Sequence, residues 1–320
     1  MDTLHARVHA IVLEADGIAT FEFRHAHGGE LPAFRAGAHI DVHIRPGCVR
    51  QFSLCNDPRE RQRYVVAVLR EESGRGGSKA MHDLLRIGQS VTLGAPRNFF
   101  PLARDARRHF LVAGGIGVTP MMAMTAELES QGSDFFLHYC TRSPERTAFR
   151  ERVSGLVASG HAAIHHDGGD PVRGLDLRAL LREPPPGTHL YYCGPPGFMA
   201  AAGSASAHWP GGGVHSEHFT PPAKAAAPGA QAPNSAFRIH LARSRLDLEV
   251  PADKSIAQVL TEHDVFIETS CTEGYCGTCL TRYTAGEPEH RDSVLDDDDR
   301  KEFVLVCCAR SRTATLELDL

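Results

Sequence analysis

Three of the chain's nine cysteines fall within nine residues, CTEGYCGTC, from Cys271 to Cys279. Cys271, Cys276 and Cys279 form C-x4-C-x2-C, and Cys307 follows 28 positions after Cys279. That spacing matches the plant-type [2Fe–2S] arrangement, in which one loop supplies three thiolates and a distant segment the fourth. Gly274 and Gly277 let the loop wrap a cluster with backbone amides aimed at its sulfurs. A zinc site would usually use two paired knuckles. Here the far side offers only adjacent Cys307 and Cys308, whose side chains would point apart on a strand. Cys307 is taken as the fourth ligand, with Cys308 the alternative.

At 320 residues the chain is too long for one ordinary core, so two or three domains are expected. A formal charge of -5 and the lack of a Lys/Arg-rich run argue against nucleic acid as a partner. The N-terminal MDTLHARVHAIVLEADG lacks the pattern of a secretory signal. The longest apolar stretch, near Phe110–Met124, is broken by Gly114, Gly115, Gly117 and Pro120, unlike a membrane span. A reducing cytoplasm is therefore expected, where clustered cysteines bind metal or do redox chemistry more often than they pair.

The pattern changes twice along the chain. From Arg7 to about Leu93, short runs such as ATFEFRH, AHIDVHI and RYVVAVL are separated by turn residues, as in an antiparallel barrel, with one helix-like run, SKAMHDLLRI. From about Arg108, HFLVAGG, DFFLHYC and THLYYCG alternate with helical segments, which predicts a parallel sheet with helices on both faces. Pro221 to Ser235 is rich in Ala and Pro and reads as a linker. Beyond it lie a hairpin (FRIHLARS, RLDLEV), a helix (SIAQVLTEH), the cysteine loop and a last strand (TATLELDL).

A one-electron cluster must be fed. RQFSL ends a barrel strand: Arg50 can bind phosphate, Phe52 pack on a ring, and Ser53 donate to a flavin nitrogen. GRGGS, Gly74 to Ser78, puts backbone amides at a helix start, an anion site. Together they point to flavin. GGIGVTP and YYCGPPGFM place Gly-rich turns at strand ends that open on the same carboxyl edge of the sheet, where a dinucleotide belongs. Cys193 is either a core thiol or a neighbour of the nicotinamide.

RQFSLCNDP, GRGGS, GGIGVTPM, CGPPGFM and CTEGYCGTC, in this order over essentially the whole chain, resemble the phthalate dioxygenase reductase family, and GEPEHRDSVL with the LELDL end is similar to its vanillate O-demethylase reductases. The resemblance implies a multidomain chain. Residues 1–104 would form an FMN-binding antiparallel Greek-key β-barrel, 105–222 an α/β NAD domain of ferredoxin-reductase type, 223–235 a linker, and 236–320 an α+β β-grasp plant-type ferredoxin. It further implies that Arg50, Gln51, Phe52, Ser53 and the Gly76, Gly77, Ser78 turn hold FMN, with Phe219 near the flavin. Gly115, Thr119, Cys193, Gly194 and Pro195 would line the NADH site. Phe52 stands where the family usually has Tyr and so lacks a hydroxyl donor.

The implied activity follows from what each cofactor carries. NADH gives a hydride, the cluster takes one electron, and FMN converts between them. Ser53 and Cys193 are the residues expected at the reacting atoms. The expected acceptor is the Rieske-type centre of a separate aromatic-ring hydroxylase or O-demethylase. A cytochrome P450 or a freestanding ferredoxin is the alternative acceptor, and a non-enzymatic iron–sulfur sensor is the alternative of another class. A sensor would need neither the flavin motifs nor the two Gly-rich turns. His165, His166 and Asp167 read as solvated loop residues, Asp296 to Asp299 as capping carboxylates rather than a docking patch, and the single Arg142 as too little for a 2′-phosphate.

Overall fold

The computed structural model describes residues 3–74, 76–210, 212–220, 234–269 and 271–320. It divides into two compact units, Met1–Phe219 and Thr220–Leu320. Most of the expected linker, residues 221–233, lies outside the described residues.

In the first unit, alternating apolar residues make the strands β1 (Thr3–Ala15), β2 (Ile18–His25), β3 (Ala38–Arg45), β4 (Cys48–Ser53), β5 (Tyr64–Leu69), β6 (Ser90–Gly94) and the short β7 (Arg97–Asn98). They form an antiparallel sheet in the order β4-β3-β6-β1-β2-β5, with β7 beside β3. A bridge between Leu54 and Val66 joins its two edges and closes a Greek-key barrel. Every second side chain points inward, so Ala6, Val8, Phe21, Phe23, Ile40, Val42, Val66 and Leu93 are wholly buried. Helix α1 (Gly77–Leu84) interrupts the strands, beginning directly after Gly76.

The rest of this unit is a five-stranded sheet, all parallel, in the order β10-β9-β8-β11-β12. Its strands are β8 (Arg108–Gly114), β9 (Asp134–Thr141), β10 (Ala162–His166), β11 (Thr188–Cys193) and β12 (Val214–Glu217). Helices α2 (Val118–Gln131) and α3 (Arg150–Ala158) cover one face, and their buried residues share a core with the barrel. On the other face α4 (Leu177–Leu180) and α5 (Pro196–Ser206) pack around Val112, Leu190, Tyr192 and Trp209. The parallel register sets Cys193 beside Ala113 on one side and beside Glu217 on the other, so the strand ends lie along one edge.

The second unit has β13 (Phe237–Leu241) and β14 (Leu246–Val250) as the expected hairpin. The capped helix α6 (Ile256–Glu262), β15 (Leu280–Ala285), β16 (Pro288–Glu289), β17 (Phe303–Leu305), β18 (Arg310–Ser311) and β19 (Thr315–Leu318) follow. The main sheet runs β14-β13-β19-β15-β17, the last strand lying parallel to β13 as in a β-grasp fold. Ser255 and Gln258 make a reciprocal capping box at the start of α6. Arg310 is buried and donates to the carbonyls of Lys254, Ser235 and Pro251 at 2.6, 2.6 and 3.1 Å, tying β18 to the start of α6.

Candidate functional site

RQFSL and GRGGS meet in space. The stem of Arg50 lies across Gly77, where any Cβ would collide with its Cγ and Nε. Helix α1 begins there, after Gly76 at φ 78°, and no side chain caps its first amides. Those amides and the neighbouring guanidinium make a cationic cradle that fits a phosphate. Ser78 itself accepts the Glu71 amide through its hydroxyl at 3.1 Å. Phe52 is half-buried against the barrel core, and Gln51 pairs with Asp41 in the sheet.

Ser53 ends β4 and is buried. Its hydroxyl donates to Glu217 Oε2 at 3.1 Å. Burial raises the Glu217 carboxyl from 4.5 to about 7, partly offset by the Ser53 bond. Cys193, wholly buried beside Glu217, is held far above the ordinary thiol range by burial and then by that carboxyl, so it is a neutral thiol. His39 completes the group, its Nδ1 3.9 Å from Glu217 Oε1. Burial and the nearby Arg97 lower it to about 3, so it is a neutral imidazole and no counter-ion to Glu217.

The two Gly-rich turns are also in contact. A Cβ on Gly117 would strike the Cys193 carbonyl and sit 2.6 Å from the Gly194 amide nitrogen. A Cβ on Gly194 would meet Phe198 Cδ1 at 2.6 Å. Gly115, at φ 53°, faces open space. Pro195 precedes α5, and neither α2 nor α5 has a side-chain N-cap, which leaves helix amides along this edge for an anionic ligand. Thr119 is buried, and its hydroxyl donates to the Ile116 carbonyl at 3.0 Å, bracing the turn. Phe219 packs partly buried against the shared core.

In the second unit Cys271, Cys276, Cys279 and Cys307 are all buried. The Cys271 amide donates to Cys276 Sγ at 3.4 Å and the Glu273 amide to Cys271 Sγ at 3.4 Å, while the Thr278 hydroxyl lies 3.3 Å from Cys276 Sγ. The Cys271 thiol reaches those of Cys276 and Cys307. Among the described residues no three Cys, His, Asp or Glu side chains converge on a single ion. A two-iron cluster asks instead for two thiolates on each iron, and four buried thiols, two of them receiving backbone amides, fit that donor set.

Two expectations need correction. Cys307 and Cys308 lie on a turn after β17, closed by Cys308 and Ala309 amides on the Leu305 carbonyl, not on a strand. Their side chains therefore do not point apart: the two thiols are within reach of each other, and Cys308 Sγ turns to the Leu305 carbonyl at 3.6 Å. His165 is also not a solvated loop residue. It lies within β10, which His166 ends, and is half-buried and stacked on His138 with their ring nitrogens 3.1 Å apart, because the parallel register brings the two strands' same-face side chains together. Of the run Asp296 to Asp299, Asp296 accepts the amides of Asp298 and Asp299 at 2.9 and 2.8 Å, whereas the Asp298 carboxylate pairs with Lys301 and caps nothing.

Glu217 was not singled out from sequence. Its signal is HSEHF itself, two residues before Phe219, but only the pairing of β12 with β11 gives it meaning.

A closed barrel joined to a parallel sheet with Gly-rich strand ends, and a β-grasp unit with four buried thiols, define an electron-transfer oxidoreductase of ferredoxin-reductase type. Residues 239–312 match the 2Fe-2S iron-sulfur cluster binding domain. The chain is 48% identical to the tert-butanol monooxygenase / tert-amyl alcohol desaturase reductase subunit of Aquincola tertiaricarbonis, over 99% of this chain and 96% of that one. It is 41% identical to a vanillate O-demethylase oxidoreductase of Pseudomonas sp. (strain HR199 / DSM 7063), over 98% of each. The solved structure of phthalate dioxygenase reductase, described as modular for electron transfer from pyridine nucleotides to [2Fe-2S], superposes with a TM-score of 0.72 at 40% identity, covering 99% of this chain and 98% of that one. The chain belongs to the phthalate dioxygenase reductase family, the reductase components of oxygenase systems. No helix among the described residues is long and apolar enough to cross a membrane.

Proposed function

We propose that this chain takes hydride from NADH onto FMN and passes single electrons through its [2Fe–2S] cluster to a separate Rieske-type oxygenase or O-demethylase. The observation that carries the reading is the meeting of Ser53, Cys193 and Glu217, which brings the end of a barrel strand to the carboxyl edge of the parallel sheet. A flavin site and a nucleotide site must share such a place for hydride transfer. When bound, the flavin converts the two electrons of a hydride into single electrons, which the cluster carries one at a time.

The residues divide the work. Arg50 and the Gly76, Gly77, Ser78 turn hold the FMN phosphate, while Gln51, Phe52, Ser53 and Phe219 surround the ring. Gly115, Thr119, Gly194 and Pro195 shape the NADH turn, and Cys193 stands beside the nicotinamide as a neutral thiol. Ser53 donates its hydroxyl to Glu217 in this structure and would be the residue to offer that hydrogen bond to the flavin ring. Cys271, Cys276, Cys279 and Cys307 ligate the cluster. The working boundaries are 1–104, 105–222 and 236–320, with 223–235 as linker, and the protein acts in the cytoplasm.

Residues 236–320 carry ten Lys/Arg against seventeen Asp/Glu, a formal charge of -7. The acidic balance of the chain therefore lies with the electron exit and would steer a basic partner surface. The test is reconstitution: the purified protein, NADH and a purified Rieske-type oxygenase with its substrate. Product formation tied to NADH oxidation is expected. Oxidation of NADH with electrons passing only to a cytochrome P450 or a freestanding ferredoxin would replace the acceptor in this reading.

A further inference from the structure

The segment GEPEHRDSVL contains a carboxylate that the account so far does not use. The Asp292 side chain is 0% exposed. Its Oδ2 accepts the amides of Leu295 at 3.0 Å and Val294 at 3.4 Å. Arg300 Nη2 stands 3.5 Å from the same oxygen and also donates to the Asp292 carbonyl at 3.4 Å. Oδ1 faces His290 Nδ1 at 3.6 Å and makes no hydrogen bond among the described residues. A buried carboxylate this poorly satisfied is costly and calls for a reason.

Its place supplies one. The next residue, Ser293, donates its amide to the Gly274 carbonyl at 3.0 Å, stitching the segment to the middle of the cysteine loop. A Cβ on Gly274 would lie 3.1 Å from the Asp292 Cα and 2.6 Å from Cys308 Sγ. Gly274, at φ 77°, is thus the only residue type that lets this backbone pack directly behind the loop. A fixed charge in such a low-dielectric position acts strongly on any electron added nearby.

We propose that Asp292, with Arg300 as its partially compensating cation, is the positioning and electrostatic residue that sets the reduction potential of the cluster held by the CTEGYCGTC loop. The inference rests on the cluster-binding reading above. The carboxylate opposes the negative charge gained on reduction and so holds the potential down. The amide bonds from Leu295 and Val294 keep the loop backing in register whether or not the side chain is charged.

The test is a potentiometric titration of the full-length holoprotein, with the cluster followed by EPR and the flavin by absorbance. Asp292→Asn keeps an oxygen for the two amides and removes the charge. With iron content unchanged, the cluster-to-flavin electron equilibrium should move at least threefold toward the reduced cluster, while the flavin's own potential stays put. Full iron content with less than a threefold change overturns the proposal. If Asp292→Asn does not retain iron, Arg300→Gln decides, because it removes the cation and keeps the carboxylate. A shift of threefold or more away from the reduced cluster supports the proposal, and a smaller one overturns it. Absence of any cluster signal in the unaltered protein would instead be a failure of the cluster reading itself.

Discussion

Ser53 donates its hydroxyl proton to Glu217 across 164 positions of sequence, at 3.1 Å. The bond links the last residue of a barrel strand to the last residue of the outermost parallel strand. It also places an ionisable carboxyl where the chain otherwise presents neutral groups, since Cys193 and His39 are held neutral by burial.

Stability should report this carboxyl. Its folded pKa is raised, from 4.5 to about 7, so between those values the folded chain binds more protons than the unfolded one. Stability attributable to Glu217 therefore falls as pH rises through that window and levels off above it. The full effect is on the order of 3 kcal/mol. Urea midpoints of the unaltered protein and of Glu217→Gln, taken from pH 4.5 to 8, should diverge, with the variant losing the downward slope. Parallel curves would mean that the carboxyl titrates normally.

The turns make a steric prediction. Gly117→Ala places a methyl against the Cys193 carbonyl and the Gly194 nitrogen, both backbone atoms that cannot rotate away. Overpacking of this kind costs about 1–3 kcal/mol. Gly115→Ala meets no atom and bears only the strain of φ 53°, about 1 kcal/mol. Calorimetry should therefore rank Gly117→Ala as the less stable, and NADH titration should show it as the weaker binder. The reverse order would contradict the close approach of the two turns.

These results also bear on what the sequence made legible. Motifs that depend on backbone shape, such as GGIGVTP and CGPPGFM, announce themselves because few residues other than glycine tolerate them. Even there, Gly117 rather than Gly115 makes the close approach, which no spacing rule reveals. Glu217 was invisible because a single carboxylate in HSEHF has no pattern, and the register of β12 against β11 alone brings it to Cys193. The adjacent Cys307 and Cys308 were misplaced on a strand because a three-residue turn closed on Leu305 leaves no mark in composition.

The cysteines can be separated by substitution. Cys276→Ser should abolish the visible and EPR signature of the cluster while leaving flavin bound. Cys308→Ser removes a thiol directed at the Leu305 carbonyl and should leave iron content and spectrum intact. Loss of the cluster in Cys308→Ser, with retention in Cys307→Ser, would exchange the two assignments.

The most direct measurement is anaerobic stopped-flow absorbance of the purified protein mixed with NADH, following the flavin and cluster bands together. The account predicts that the flavin bleaches first and the cluster follows at a rate independent of protein concentration, as transfer within one molecule requires. Cofactors that respond to dithionite but not to NADH would contradict it.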